Sequence, residues 1–314
     1  IMVNVKLLDK LLRELLVNVP SLIAALVVDA HGLIITKQSI RGLDDEKISA
    51  IMGILDRAFS SIKRISNTSL GSGTLDTEEF NLFYVELKGE VSALFVLIAD
   101  QYTNINQFIP YYYFIAEKVS QILHNEEPPL TLLKIDSDGK IKFRENGQTQ
   151  NIVIIGDASV GKSSLIKMYT QGSFMESYIP TVGVSILEQK LQISKNLNIN
   201  FNLIDMSGLT SLAKIRRYYY RNIKAVILVF DYSRQETLGR ISNWIEEAQH
   251  FIEDNKAKFA LVGNKIDLIE GRNELRTEAQ NIANQYGFWF YETSACTGEG
   301  LDELFTTLIS NCLI

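Results

Sequence analysis

The run NIVIIGDASVGKSSLIKMYT, residues 151–170, constrains this chain more than any other. An apolar stretch enters a turn bounded by Gly156 and Gly161, and Lys162 and Ser163 then open a helix. Glycines let several backbone N–H groups converge on one point, and the helix start adds positive potential there, so a strand–loop–helix of this kind cradles phosphate. Its expected members are Gly156, Asp157, Ala158, Ser159, Val160, Gly161, Lys162, Ser163 and Ser164. Lys162 supplies a cation to the outer phosphates, and the Ser163 hydroxyl reaches Mg²⁺. A chance glycine-rich turn is the plain alternative, and the strand before it and the helix after it argue against that.

Beyond residue 170, strands and helices alternate. SILEQKLQI (185–193), INFNLID (199–205), AVILVFD (225–231), FALVGN (259–264) and FWFYET (288–293) read as strands, with helices around 236–254, 277–286 and 299–311. This predicts an α/β unit with a mixed, mostly parallel, doubly wound sheet, whose sites lie beyond the carboxyl ends of the strands. One such end carries NKID, residues 264–267. An aspartate carboxylate such as that of Asp267 can accept hydrogen bonds from guanine N1–H and the 2-amino group, whereas adenine offers neither donor and would leave it unpaired. Ser294, Ala295 and Cys296 come directly after the next strand.

These segments, with FMESYIPT (174–181) and DMSG (205–208), make residues 150–314 resemble the Ras-like small GTPases, with a Rab flavour. The resemblance implies GTP or GDP as ligand, together with Mg²⁺. It implies that Phe174 packs on the guanine and Tyr178 covers the phosphates. Thr181 would bind Mg²⁺ and the γ-phosphate, Asp205 would hold Mg²⁺ through water, and the Gly208 N–H would meet the γ-phosphate. Asn264 would brace the loops, Lys265 would lie along base and sugar, and the Ala295 N–H would reach guanine O6. The implied metal set is Ser163, Thr181 and Asp205, and the catalytic set is Lys162, Thr181, Gly208 and Leu209. An ATP-using kinase with the same phosphate loop gives no reason for NKID or for Ser294–Cys296.

Two positions depart from the family. Cys296 stands where a lysine is usual, which leaves the Ala295 backbone contact intact. Leu209 stands where glutamine orients the attacking water, and leucine neither donates nor accepts a hydrogen bond. In one reading Leu209 packs on an apolar neighbour and hydrolysis is slow. In the other, the missing function comes from an activating protein, from the first half of the chain, or from Arg216 or Arg217. A static nucleotide in a scaffold is the competing class of function.

The composition breaks once, at NEEPP (125–129), where Pro128 and Pro129 forbid a helix. TLLKI–DSDG–KIKF then reads as a hairpin, and its DSDG lacks the later ligands of a calcium loop. The expected division is 1–125, a linker over 126–149, and 150–314. The first part reads α-β-β-α-β-β-β-α, an antiparallel sheet with helices. It opens with Leu7, Leu8, Leu11, Leu12, Leu15 and Leu16 on one helical face, and a second helix is expected over 44–65. This order, with VPSLIAALVVDAHGLII (19–35), resembles the roadblock family; longin-like and profilin-like layers are its structural rivals. The resemblance implies a homodimer with helix 44–65 near the twofold axis, and contact with the switch loops. No constellation for chemistry stands out in this half.

Composition sets limits on partners. A net charge of −6 argues against a nucleic-acid binder. Two cysteines without metal spacing fit a reducing cytosol, with any membrane association coming through partners. Cys312 is third from the end of NCLI, so a prenylation motif fails and no lipid anchor is expected.

Overall fold

The computed structural model describes residues 3–29, 33–40, 53, 71–89, 92–135, 141–142, 149–174, 179–194, 197–252 and 257–311. They fall into two compact units, Ile1–Phe143 and Arg144–Ile314.

The first unit runs α1 (Val5–Asn18), β1 (Leu22–Asp29), β2 (Ile34–Ser39), β3 (Ser72–Asp76), β4 (Phe80–Leu87), β5 (Ala93–Asp100) and α2 (Ile109–Leu123). The strands form one sheet in the order β2-β1-β5-β4-β3, with every pair antiparallel. Asn4 caps α1, its side-chain oxygen accepting the Leu7 N–H at 3.2 Å. The leucine face is real: Leu8, Leu11, Leu12, Leu15 and Leu16 are buried and Leu7 is half-buried. Residues Tyr111 to Ser120 of α2 are all buried, and the Asn18 amide donates to the Tyr111 hydroxyl at 3.0 Å. The expected helix over 44–65 lies outside the described residues apart from Gly53, which is helical. The hairpin forms as β6 (Lys134–Ile135) and β7 (Ile141–Lys142), while its DSDG turn lies outside the described residues.

The second unit runs β8 (Thr149–Ile155), α3 (Lys162–Gln171), β9 (Val184–Ser194), β10 (Leu197–Met206), α4 (Ala213–Arg216), β11 (Ile223–Asp231), α5 (Glu236–Gly239), α6 (Ile241–Phe251), β12 (Lys258–Asn264), α7 (Asn273–Tyr286), β13 (Trp289–Thr293) and α8 (Leu301–Asn311). Its six strands lie in the order β13-β12-β11-β8-β10-β9. All neighbours are parallel except β9, which returns antiparallel beside β10. The helix expected over 236–254 breaks in two at Gly239–Arg240, where Arg240 leaves helical geometry (φ −93°, ψ 0°). Glycine weakens the helix there, and side-chain bonds from Arg240 and Trp244 to the phosphate loop hold α6 in place.

The central strands are apolar on both faces because helices cover both sides. Ile152, Ile154, Leu203, Ile227, Val229, Ala260 and Val262 share one buried cluster with Leu304, Phe305 and Leu308 of α8. One polar pair sits within this sheet. Asn151 of β8 and Asn202 of β10 are register partners, both buried, and the Asn202 amide donates to the Asn151 carbonyl oxygen at 2.8 Å. The pair pins β10 to β8, and hence Asp205 to the phosphate loop.

Asn202→Ala leaves the Asn151 amide dry and is expected to cost about 1–3 kcal/mol, whereas leucine at both positions costs less than the single change. Both tryptophans of the chain, Trp244 and Trp289, lie in the second unit, so urea unfolding followed by their fluorescence reads this unit selectively.

Candidate functional site

The carboxyl ends of β8, β10, β11, β12 and β13 meet at a single rim. An open cavity of about 570 Å³ lies there, lined by the phosphate loop, Phe174, Thr181, Gly208, Leu209, Asn264, Lys265, Asp267, Ala295 and Cys296. Most of the residues singled out from sequence are therefore brought together. Tyr178 lies outside the described residues.

The phosphate loop closes on itself through Lys162. Its ammonium donates to the Gly156 carbonyl at 2.9 Å and the Asp157 carbonyl at 2.8 Å. Burial pushes this lysine down to about 8, and the Asp205 and Asp157 carboxylates only partly oppose that. Gly156 (φ +142°) and Gly161 (φ +101°) hold left-handed backbone, and a Cβ on Gly161 would lie 2.2 Å from the Asn264 amide nitrogen.

Asn264 ties three loops together. Its amide donates to the Val160 carbonyl at 2.9 Å, and its oxygen accepts from Thr293 Oγ1 at 3.2 Å and from the Ala295 N–H at 3.1 Å. The Ala295 N–H that the resemblance gives to guanine is thus engaged by Asn264 here. Lys265 donates to the Ser159 carbonyl at 2.9 Å and pairs with Asp231 at 2.7 Å. Burial pushes Asp231 upward, but bonds from Lys265, Ser233 and Arg234 outweigh it and leave the carboxyl below its usual range. Ser294 Oγ donates to Asp267 Oδ1 at 2.5 Å, which orients the carboxylate on the cavity wall.

Three oxygens gather beside the phosphate loop. Ser163 Oγ donates to Asp205 Oδ2 at 2.5 Å and lies 3.2 Å from Thr181 Oγ1. Asp205 Oδ1 is buried with no hydrogen-bond partner among the described residues, and burial raises the carboxyl above its usual range, partly offset by Lys162. One carboxylate and two hydroxyls are hard ligands of the kind Mg²⁺ takes alongside phosphate oxygens and water, and the orphaned oxygen fits such a group.

A wall that holds both a glycine-bounded loop around a buried lysine and a serine-oriented carboxylate narrows the family, and comparison with known proteins decides it. The Ras family model matches residues 151–314. This chain belongs to the Ras family.

Human Ras-related protein Rab-39A is 35% identical over 161 residues, which cover 50% of this chain and 74% of the relative. GTP-binding protein ypt5 of Schizosaccharomyces pombe is 33% identical over 160 residues, 51% of this chain and 75% of the relative. Chicken DnaJ homolog subfamily C member 27 is 34% identical over 164 residues, 51% of this chain and 59% of the relative. These matches account for the second unit. The first unit is a separate α+β region, consistent with a roadblock-like domain.

In this Ras-family unit, Leu209 is half-buried and lines the cavity. The two arginines offered as substitutes for a water-orienting group are otherwise occupied. Arg217 is exposed and donates to the Tyr218 hydroxyl at 2.7 Å. Arg216 is buried, paired with Glu247, and bonded to the carbonyls of Ser207 and Leu209. Sequence reading overlooked the Asp157 contacts. Its carboxylate accepts from Arg240 Nε at 2.5 Å and Trp244 Nε1 at 2.8 Å, so it faces α6. Arg234, which donates to the Ala158 carbonyl at 2.9 Å, was also overlooked. Neither carries a local signature; the only signal was an aspartate ending β11 with an arginine three residues on.

Asn264→Ala strips partners from one carbonyl, one N–H and one hydroxyl in a buried setting. It is expected to destabilise the second unit by more than about 2 kcal/mol, read as a fall in the tryptophan-monitored unfolding midpoint.

Proposed function

We propose that the second unit binds GTP and GDP with Mg²⁺ and works as a switch that hydrolyses GTP slowly. The observation carrying this reading is that one cavity is lined both by the Lys162 loop and by Asp267, held by Ser294. The loop supplies N–H groups and a buried ammonium for phosphates, and the carboxylate supplies the guanine preference. Ser163, Thr181 and Asp205 would hold Mg²⁺, which when bound offsets phosphate charge. Gly208 and Thr181 would sense the γ-phosphate. The ypt5 relative is a GTP-binding protein by name, which supports the same ligand here.

Slow hydrolysis is the consequence of Leu209. A side chain without hydrogen-bonding atoms lines the cavity where a water must be held in line. The alternative, a scaffold whose bound GTP is static, rests on the same residue. The test is single-turnover hydrolysis of preloaded GTP by the full-length chain, with Leu209→Gln beside it. Ras itself turns over on the order of 10⁻⁴ s⁻¹ without help. The wild type is expected below that rate and the glutamine variant above the wild type. Wild-type phosphate release at or above the Ras rate overturns the role given to Leu209. Failure of both to retain GTP overturns the function itself.

The first unit is the proposed dimerisation and regulatory part, with exchange or activating proteins and effectors as further partners of the second. A closed twofold contact is the commonest solution for such a unit. Light scattering at micromolar concentration is expected to give twice the 35.5 kDa chain mass. A monomeric mass would remove this part of the reading.

A further inference from the structure

We infer that Arg216 and Glu247 form a tether that holds the Ser207–Gly208–Leu209 segment closed on the phosphate loop whichever guanine nucleotide is bound. The inference rests on the guanine-nucleotide reading above and concerns how far the loop after Asp205 responds to the γ-phosphate.

The geometry is that of a clamp. Arg216 Nε and Nη2 donate to the two oxygens of Glu247 at 2.7 and 2.6 Å. Nη1 donates to the Ser207 carbonyl at 3.1 Å and the Leu209 carbonyl at 2.7 Å. These carbonyls flank Gly208, whose missing Cβ would lie 2.4 Å from the Ala158 nitrogen and 2.6 Å from the Gly156 oxygen. The segment is thus pressed on the phosphate loop from one side and gripped by its carbonyls from the other. The guanidinium also lies 4.6 Å from the Trp244 ring centre, and the Tyr220 hydroxyl donates to Glu247 Oε1 at 2.8 Å. Side-chain exposure is 3% for Arg216 and 15% for Glu247. Trp244 in turn donates to Asp157, so α6 grips the phosphate loop and the Gly208 segment together.

A ligand moves a loop only through its differential affinity for the open and closed states. Where the γ-phosphate supplies the main bond to Gly208, its loss frees the loop. Here charge-assisted bonds from a bidentate, buried arginine act on the carbonyls either side of Gly208, through donors that do not involve the γ-phosphate. They lower the closed state in both nucleotide forms until local opening of the segment is rarer than opening of the sheet and α6 around it, so both forms exchange through that same larger opening. Arg216 is in this sense a positioning residue. It acts on the loop and not on the reacting atoms.

The test is hydrogen exchange over residues 205–216 of the full-length chain, nucleotide-free, with GDP, and with a non-hydrolysable GTP analogue. Retention of a fluorescent guanine nucleotide is measured separately. In the wild type the loop is expected to exchange at rates within about twofold in the two nucleotide forms. In Arg216→Ala the GDP form is expected to exchange about a hundredfold faster, while the analogue form keeps more of its protection. Arg216→Lys, which keeps the charge but not the fork, should fall between them. If Arg216→Ala does not fold, Glu247→Gln reads the same asymmetry from the other partner. A wild-type loop that exchanges freely with GDP and is protected by the analogue overturns the tether. So does an Arg216→Ala effect of equal size in both forms, which a merely structural arginine would give. If no guanine nucleotide is retained, the proposed function fails, and the nucleotide-free loop still decides the tether. Protection in the wild type that Arg216→Ala abolishes upholds it, and free exchange in the wild type overturns it.

Discussion

The ammonium of Lys162 is a buried cation whose only direct hydrogen-bond acceptors among the described residues are two backbone carbonyls, those of Gly156 and Asp157. Much of the second unit can be understood as the means of keeping it there. The apolar strands around β8 exclude water from it, which is why its pKa falls. The loop before it must coil tightly enough to present those carbonyls. That coil is held from outside by Asn264 on Val160, Lys265 on Ser159, Arg234 on Ala158, and the α6 side chains on Asp157. The loop is braced residue by residue from the ends of β11 and β12 and from the start of α6.

This bracing sorts what the sequence discloses from what it hides. Lys162 and Ser163 were legible because they open the helix that follows an apolar strand and its glycine-bounded turn, and Asp205, Asn264, Asp267 and Ser294 because each sits at the end of an apolar strand or in the turn just after one. A parallel sheet brings such ends together whatever the loops between them do. The class of the sheet was legible for the same reason. The partners of those residues were not. Trp244 meets Asp157 across 87 positions of chain, and Glu247 meets Arg216 across 31. Such contacts depend on how α6 is rotated against the sheet. That rotation is set by the break at Gly239–Arg240, which periodicity alone smooths into one helix.

The first unit shows the opposite balance. Its leucine stripe predicted burial well, because burial is what periodicity measures. Chemistry was not legible there, and the described residues hold no metal-binding cluster of histidine, cysteine, aspartate or glutamate. Its polar contacts are local fastenings: Asn18 to Tyr111, Tyr113 to Ser72, Lys118 to the Pro129 carbonyl. They fix α1 to α2, α2 to the sheet, and the segment after α2 to its own helix.

The amide pair at Asn151 and Asn202 has a consequence for how the second unit assembles. Parallel strands find one another across long stretches of chain, which makes their pairing slow and open to error. Between apolar strands, neighbouring alignments differ little in the surface they bury. A slip by one residue here would turn one asparagine to the opposite face and leave both amides facing hydrocarbon without a partner. Two side chains that contribute nothing to the cavity therefore act as a proofreading mark for the chain, discriminating against misaligned sheets in which Asp205 would never reach Ser163.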